Sequence, residues 1–499
     1  MINKILFEDQ IILYWDKEWD LPNDLTYVTK LNGKEYLSSS KTHVELNGLL
    51  ADTLYTITID RVMADGSTQN IYNEQVKTPK QRVRIDVSKP PYNAVGDGVT
   101  LNTVALQKAI DDCKAGQTVY VPSGEYLTGA LDLKSDIELY VDKGAKLQGT
   151  TEVKDYLPKI WSRFEGEELE CYRSVINVGV LDNKAGYTTK NVVIRGKGAI
   201  VGGGQTLCNN VKAVETELLK DWLENNKELV ATCERPDTIP KRRRGRLINV
   251  SNCQNVVVSG LSLGMGASWN VHMVYSKDII TCGCHIFSQG VHNGDGWDPD
   301  SSENCVCFNT LFATFDDGIA IKSGKNPEGN VIARPTKDIR IFDCYGRNAV
   351  AIGSELSGGI ENVFVWDCDY YASSLGLNIK TTTKRGGYVR NVRVKNCKMV
   401  GIGVRTKYGC NNDGVGSGEL TVIENLCYED IYFYGRKPTH IIVPDNYRDP
   451  IYFDGFDDLP IKNLKLKNIY VQKRPDGLPQ NILIQNVEGV VLENVKFGE

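Results

Sequence analysis

The sequence predicts an all-β chain: a right-handed parallel β-helix, or solenoid, preceded by a small β-sandwich. Three observations carry that prediction. Short segments of alternating apolar residues, each leading into Asn or Asp and often Cys, recur to the end of the chain, as in "RLINVSNCQNVVVSGLSL", "KDIRIFDCYGRNAVAIGSE" and "VRNVRVKNCKMVGI". Asp295-Gly296 and Asp317-Gly318 open two such stretches 22 residues apart, and strand repeats of about 20 to 30 residues without intervening helices mark a solenoid. The first 80 residues have a different texture, with short strands of β-branched and aromatic residues divided by turn signals such as Asp65-Gly66.

Taken in order, residues 1–80 form one domain and 81–499 a second. In the first, the spacing of Leu46, Leu49, Thr53 and Tyr55 resembles the later strands of a fibronectin type III domain, where a Leu and a Tyr pack over the corner between sheets. The second opens on a Gly-rich turn in "YNAVGDGVTLNTVALQKAIDDC", followed by a helix with Leu106, Ala109, Ile110 and Cys113 on one face. That helix is expected to cap the N-terminal end of the solenoid, where an uncovered edge would invite pairing with another chain. Within the repeats, Cys253, Cys282, Cys305, Cys344, Cys368 and Cys397 fall at equivalent points and are expected to stack inside the coil as small apolar groups. The C-x-C spacings at Cys282 and Cys305 are short and no C-x-x-C occurs, so no metal and no cofactor is expected. The segment "VKAVETELLKDWLENNKELVATCERPDTIPKRRRGR" interrupts the repeats as a helical insertion, packed through Leu218, Leu219, Trp222 and Leu223.

Bulk properties narrow the function. A net charge of −5 and a pI near 5.8 argue against a general nucleic-acid binder. No stretch reaches the roughly 18 uninterrupted apolar residues of a membrane span. The N-terminal "MINKILFEDQ" is broken by Glu8 and Asp9 and is not a secretory signal, which places the protein in the cytoplasm with reduced thiols, or outside the cell if a leader has been removed. Oligomeric state is not legible.

One turn of a solenoid brings residues a full period apart onto neighbouring strands roughly 4.8 Å from each other. Asp295 on one coil and Asp316-Asp317 on the next therefore bring three carboxylates within roughly 5 to 10 Å, the range in which one acid protonates a leaving oxygen and another carboxylate activates a water. Mutual repulsion raises their pKa values and keeps one protonated near neutral pH. A single Asp-Gly is an ordinary turn signal. Paired acids ahead of the buried run "GIAIKSG" carry a desolvation cost that a plain turn does not require.

"NGDGWDPDSS", "FDDGIAIKSG", "NAVAIGSELSGG" and "LNIKT" stand in the order and spacing of the signature motifs of the polygalacturonase family of glycoside hydrolases, family 28, which the chain resembles over roughly residues 84–499. "GSE" with "SGG" is similar to exo-acting bacterial members. The resemblance implies an inverting hydrolase acting on galacturonate-containing oligosaccharides derived from pectin. It implies that Asp316 is the general acid, that Asp295 and Asp317 position and deprotonate the hydrolytic water, and that Lys380 binds a substrate carboxylate. Two positions depart from the family: Asn348 stands for a histidine and Asn378 for an arginine. Asn can exchange hydrogen bonds but neither titrates nor offers a charged fork.

Four further residues are candidates for the site. His292 precedes the Asn-Gly-Asp motif, Arg385 could supply the missing positive charge, and Trp269 with His272 could form a stacking platform one coil before Asp295. The basic run Lys241–Arg246 reads as a loop at the cleft rim that draws in an anionic substrate. "WSRFEGEELECYRS", with Arg163 and Tyr172, could wall the cleft and close one end, favouring exo-action. Three alternatives remain open from sequence: a rhamnogalacturonan-directed hydrolase of the same family, a β-helix polysaccharide lyase using Ca²⁺ on Asp298, Asp300 or Asp316, and a non-catalytic carbohydrate-binding homologue.

Overall fold

The computed structural model describes residues 2–371, 376–409, 411–435, 449–475, 477 and 480–498. It divides into two compact units, Met1–Arg84 and Ile85–Glu499, a division four residues beyond the one placed from sequence.

The N-terminal unit is a β-sandwich. Strands Ile2–Leu6, Gln10–Trp15 and His43–Asn47 form one antiparallel sheet, and Thr26–Leu31, Lys34–Ser39, Leu54–Val62 and Thr68–Lys77 form the other. Alternation does the work: Tyr55, Ile57 and Ile59 point inward from one strand and meet Ile11, Leu13 and Trp15 from the opposite sheet. The Asp65-Gly66 turn closes as expected, with Ser67 N–H donating to Asp65 Oδ1 (2.8 Å) and Gly66 at φ +82°, where a side chain would be strained.

The second unit is a right-handed parallel β-helix. Among the described residues one sheet has 22 strands and another 11, and successive coils pair in parallel with one apolar core between them. The repeated Asn or Asp is explained by backbone geometry. Asn191, Asn255, Asn304, Asn362, Asn391, Asn425 and Asn463 all adopt the left-handed conformation that Asn tolerates best. Their side chains also bridge coils, for example Asn391 Nδ2 to Asn362 Oδ1 (3.1 Å) and Asn463 Nδ2 to Asn425 Oδ1 (2.9 Å). Of the six cysteines expected to stack, Cys344, Cys368 and Cys397 do so on successive coils, whereas Cys253, Cys282 and Cys305 register with Thr189, Phe308 and Ile279; among the described residues 11 of 13 cysteines are buried. Beside them Phe308, Phe342 and Trp366 form a nearly parallel aromatic stack at 4.8 and 4.4 Å.

Helix Thr103–Asp112 caps the first coil with Leu106, Ala109 and Ile110 buried. The insertion is helical, but its packing face is not the one expected. Helix Gly204–Leu218 buries Leu207, Cys208 and Val211, whereas Leu218 and Trp222 are exposed, because the helix breaks at Leu219 before a second begins at Lys220. Among the described residues no helix is long and apolar enough to cross a membrane.

Candidate active site

The 11-stranded sheet lays its outward side chains in columns, because parallel strands in register place equivalent residues one coil apart. Strands Ile248–Ser251, Val271–Val274, Trp297–Asp300, Ile319–Ile321, Val350–Gly353, Leu377–Lys380, Ile402–Arg405 and Ile451–Asp454 follow one another. One column reads Asn249, His272, Asp298, then Ala351, Asn378, Gly403 and Tyr452. A second contains Asp300 and Lys322, then Gly353, Lys380, Arg405 and Asp454. At the turn entering these strands, Arg246, Trp269, Asp295, Asp317 and Asn348 succeed one another. Asn270 N–H donates to Asp295 O (2.9 Å), and Gly296 N–H donates to Asp317 O (3.0 Å). Asp295 and Asp317 thus occupy the same place on consecutive coils, as their 22-residue spacing requires.

The acids differ in their partners. Asp317 is half-buried and paired with Lys380 Nζ at 2.7 Å. Asp316 accepts the Asp317 N–H at Oδ1 (2.9 Å); burial and the Asp317 carboxylate push it above the usual range, with Lys380 opposing. Its backbone carbonyl accepts a hydrogen bond from Asn348 Nδ2, which also donates to Thr314 O (3.0 Å), so Asn348 fixes the turn that presents Asp316. Asp295 and Asp298 are both buried and both raised. For Asp295 the causes are burial and then Asp298, with Lys322 opposing. Lys322 Nζ lies 3.4 Å from Asp295 Oδ2 and 3.4 Å from Glu355 Oε2, and 4.7 Å from the Trp269 ring centroid. No donor reaches either oxygen of Asp298 among the described residues. Burial holds both carboxyls well above the usual carboxylate range, and Lys322 opposes the rise of each. Burial opposes ionisation of Glu355 too, but Lys322, Arg385 and Asn411 hold it well below the carboxylate range.

One end of this row is closed by the hairpin Ile160–Phe164 and Glu167–Cys171. Phe164 stacks on Trp269 at 4.6 Å and 9°. Arg163, fully buried, donates to Asp300 Oδ1 and to Ser301 Oγ, both at 2.9 Å. At the hairpin tip Glu165 and Glu167 meet Arg242, which also grips Asp413 through two bonds of 2.9 and 2.8 Å; Lys325 joins Glu167 and Asp413 at 2.8 Å each. Gly166, at φ +79°, sits where a Cβ would approach Lys325 backbone N to 2.6 Å. Near this roof, Asn249 Oδ1, both oxygens of Asp298, and Nε and Nη2 of Arg246 are buried without a hydrogen-bond partner among the described residues. Buried polar groups are rarely left so, which marks this end of the row as a place for water or a polar ligand.

Several sequence expectations change here. The basic run Lys241–Arg246 is not a solvated rim: Arg242, Arg244 and Arg246 are buried, in ion pairs, on backbone carbonyls and beside Phe164. Trp269 is not an open platform, since Phe164 covers one of its faces. His292 faces the helical insertion. Its backbone N–H donates to Gln205 Oε1 (2.8 Å), and burial with Arg244, Lys241 and Arg235 lowers its imidazole pKa to about 4. His272 is likewise pushed to about 4 by burial, 3.5 Å from Asp300. Arg385 is fully buried, donating to Asn326 Oδ1 and to Asn411 O (3.0 Å), and lies on the Glu355 side of the site. Asn378 Oδ1 accepts from Arg405 Nε at 3.1 Å. Sequence reasoning passed over Lys322, Glu355 and Arg405; only "GIAIKSG", a lysine inside a buried strand pattern, signalled the first.

The family model described as "Glycosyl hydrolases family 28" matches residues 113–432. The exo-poly-alpha-D-galacturonosidase of Dickeya chrysanthemi is 30% identical over 438 residues, spanning 82% of this chain and 72% of that protein. The endo-polygalacturonase of Pectobacterium parmentieri is 29% identical over 395 residues, 74% of this chain and 87% of that one. Among solved structures, the family 28 exopolygalacturonase of Yersinia enterocolitica has a TM-score of 0.81 at 21% identity, covering 100% of this chain and 96% of its own. The exopolygalacturonase of Thermotoga maritima has a TM-score of 0.67 at 24% identity, covering 82% and 91%. At these identities the structures speak to fold alone.

Proposed function

The chain belongs to glycosyl hydrolase family 28, and from that premise we propose that it is an inverting, exo-acting hydrolase of galacturonate-containing oligosaccharides derived from pectin. The observation that carries this reading is the difference in electrostatic surroundings among three carboxylates on consecutive coils. Asp316, raised by burial and by Asp317, keeps its proton and gives it to the glycosidic oxygen as the bond to the anomeric carbon breaks. Asp317, paired with Lys380, and Asp295, paired with Lys322, hold a water on the opposite face of the sugar and take its proton as its oxygen attacks that carbon. Attack opposite the leaving group inverts the configuration. Lys380 also brings a positive charge to the substrate carboxylate.

Exo-action is supported by the pinned hairpin and the enclosed polar groups near it, which suit a chain end rather than a chain passing through. The naming of the Dickeya relative points the same way. The N-terminal sandwich is proposed to be fibronectin type III-like, supported by Tyr55 Oη accepting the Leu50 N–H at 2.8 Å over the corner between its sheets. The test is to incubate the protein with homogalacturonan and rhamnogalacturonan oligosaccharides, with and without EDTA, following products by mass spectrometry and the new anomer by NMR. One saturated monosaccharide released per event from galacturonan, with inverted configuration, is the expected result. An unsaturated product lost on chelation would overturn it in favour of a lyase, and no product from either panel in favour of a binding protein.

A further inference from the structure

We infer that Arg405 is a specificity-determining residue, one half of a two-cation seat for the substrate's carboxylate, and that Asn378 is the positioning residue that aims it. This rests on the galacturonide reading above. Lys380 by itself is a compromised anchor, because its ammonium is already committed to Asp317 at 2.7 Å. A carboxylate arriving there would compete with Asp317 for one compact charge. The next coil supplies a second cation in the same column: Arg405 pairs in register with Lys380, one strand spacing of roughly 4.8 Å away.

Asn378 sets the orientation. It lies one coil before Gly403 and two residues before Lys380, and its Oδ1 accepts the Arg405 Nε–H at 3.1 Å. Fixing Nε fixes the plane of the guanidinium, and a planar fork held in one orientation recognises a carboxylate better than a freely rotating ammonium. Tyr408 completes the seat, with its ring 5.3 Å from the Arg405 guanidinium and 5.5 Å from Lys380 Nζ. A short acceptor at position 378 is therefore matched to a guanidinium one coil later. The division of labour follows: Lys380 pairs with Asp317, and Arg405 reads the uronate.

The test compares wild type, Arg405→Gln, Arg405→Lys and Asn378→Ala on trigalacturonate, with melting temperatures as a folding control. Arg405→Gln is expected to raise KM at least tenfold, about 1.4 kcal/mol, with kcat within threefold. Arg405→Lys recovers part of that loss, and Asn378→Ala raises KM by less than Arg405→Gln. A KM within twofold of wild type in Arg405→Gln, or kcat and melting temperature falling together, would overturn the assignment of Arg405 while leaving the hydrolase intact. A wild-type protein that cleaves no galacturonide overturns both readings at once.

Discussion

Replacing Lys322 by Met removes one charge from the site with little change of volume, and its consequence can be worked out from the structure. The ammonium lies 3.4 Å from both Asp295 and Glu355. At an effective dielectric constant near 20, each contact is worth about 5 kcal/mol of Coulomb attraction. Even a third of one contact exceeds the roughly 1.4 kcal/mol of a pH unit. Lys322 lowers the Asp295 carboxyl against burial and Asp298, so its loss pushes that carboxyl higher still. The acidic limb of kcat/KM is expected to move up by at least one pH unit, with about tenfold lost per unit below the new limb. Stability follows the same sign. Glu355 is depressed in the folded state, so its pairing stabilises above the unfolded carboxylate pKa and is lost as pH falls. The melting-temperature gap between Lys322→Met and wild type should be widest near neutrality and close only well below pH 4, as pH falls toward the depressed Glu355 pKa. An unshifted acidic limb, or a stability gap that does not depend on pH, would refute the electrostatic role given to Lys322.

Asp316→Asn removes the proton donor and should lower kcat by roughly 10²- to 10⁴-fold while trigalacturonate still binds by calorimetry. Asp413→Asn leaves Arg242 and Lys325 buried beside a neutral partner, and should cost about 3 to 5 kcal/mol in denaturant unfolding and release longer oligosaccharides as the hairpin loosens. Trp366→Ala, which opens the Phe308–Phe342–Trp366 stack, should cost about 3 to 5 kcal/mol by denaturant midpoint and leave KM near wild type, because the stack lies on the other sheet.

What the sequence revealed and what it hid have the same origin. Turn chemistry is local, so Asn-Gly-Asp and Asp-Asp-Gly at one 22-residue interval were readable as neighbours in space. The repeats also announced their own purpose, since Asn at a left-handed position and Cys in a packed column are choices made coil by coil. Coil length, however, is not constant. The column through Lys322 advances by 31 residues at Ile321 to Ile352, then 27 from Gly353 to Lys380 and 25 from Lys380 to Arg405. Without the register, nothing in the sequence places Arg405 beside Lys380, whereas Arg385, closer in sequence, folds to the Glu355 side of the site. The basic run failed for a related reason. Charged runs are solvated when their partners are water, but Arg242 meets Asp413 across 171 residues and Glu165 across 77, distances no local pattern spans.

The assignment of acid and base comes from how cations are distributed over these columns rather than from the aspartates themselves. Four buried or half-buried carboxylates crowd the site, and they cannot all ionise. Asp295 has Lys322 and Asp317 has Lys380 within ion-pair distance. Asp298 and Asp316 have no ion-pair partner within that distance among the described residues; burial and the Asp317 carboxylate raise Asp316, and burial raises Asp298 as it does Asp295. Asp298 lies buried in the sheet, whereas Asp316 stands half-buried at the turn, its backbone held by Asn348. In the proposed reaction Asp316, raised by burial and by Asp317, is the acid that delivers its proton from this turn. Under the proposed mechanism, what the turn needs at position 348 is a hydrogen-bond donor to hold Asp316 in place, which Asn348 supplies.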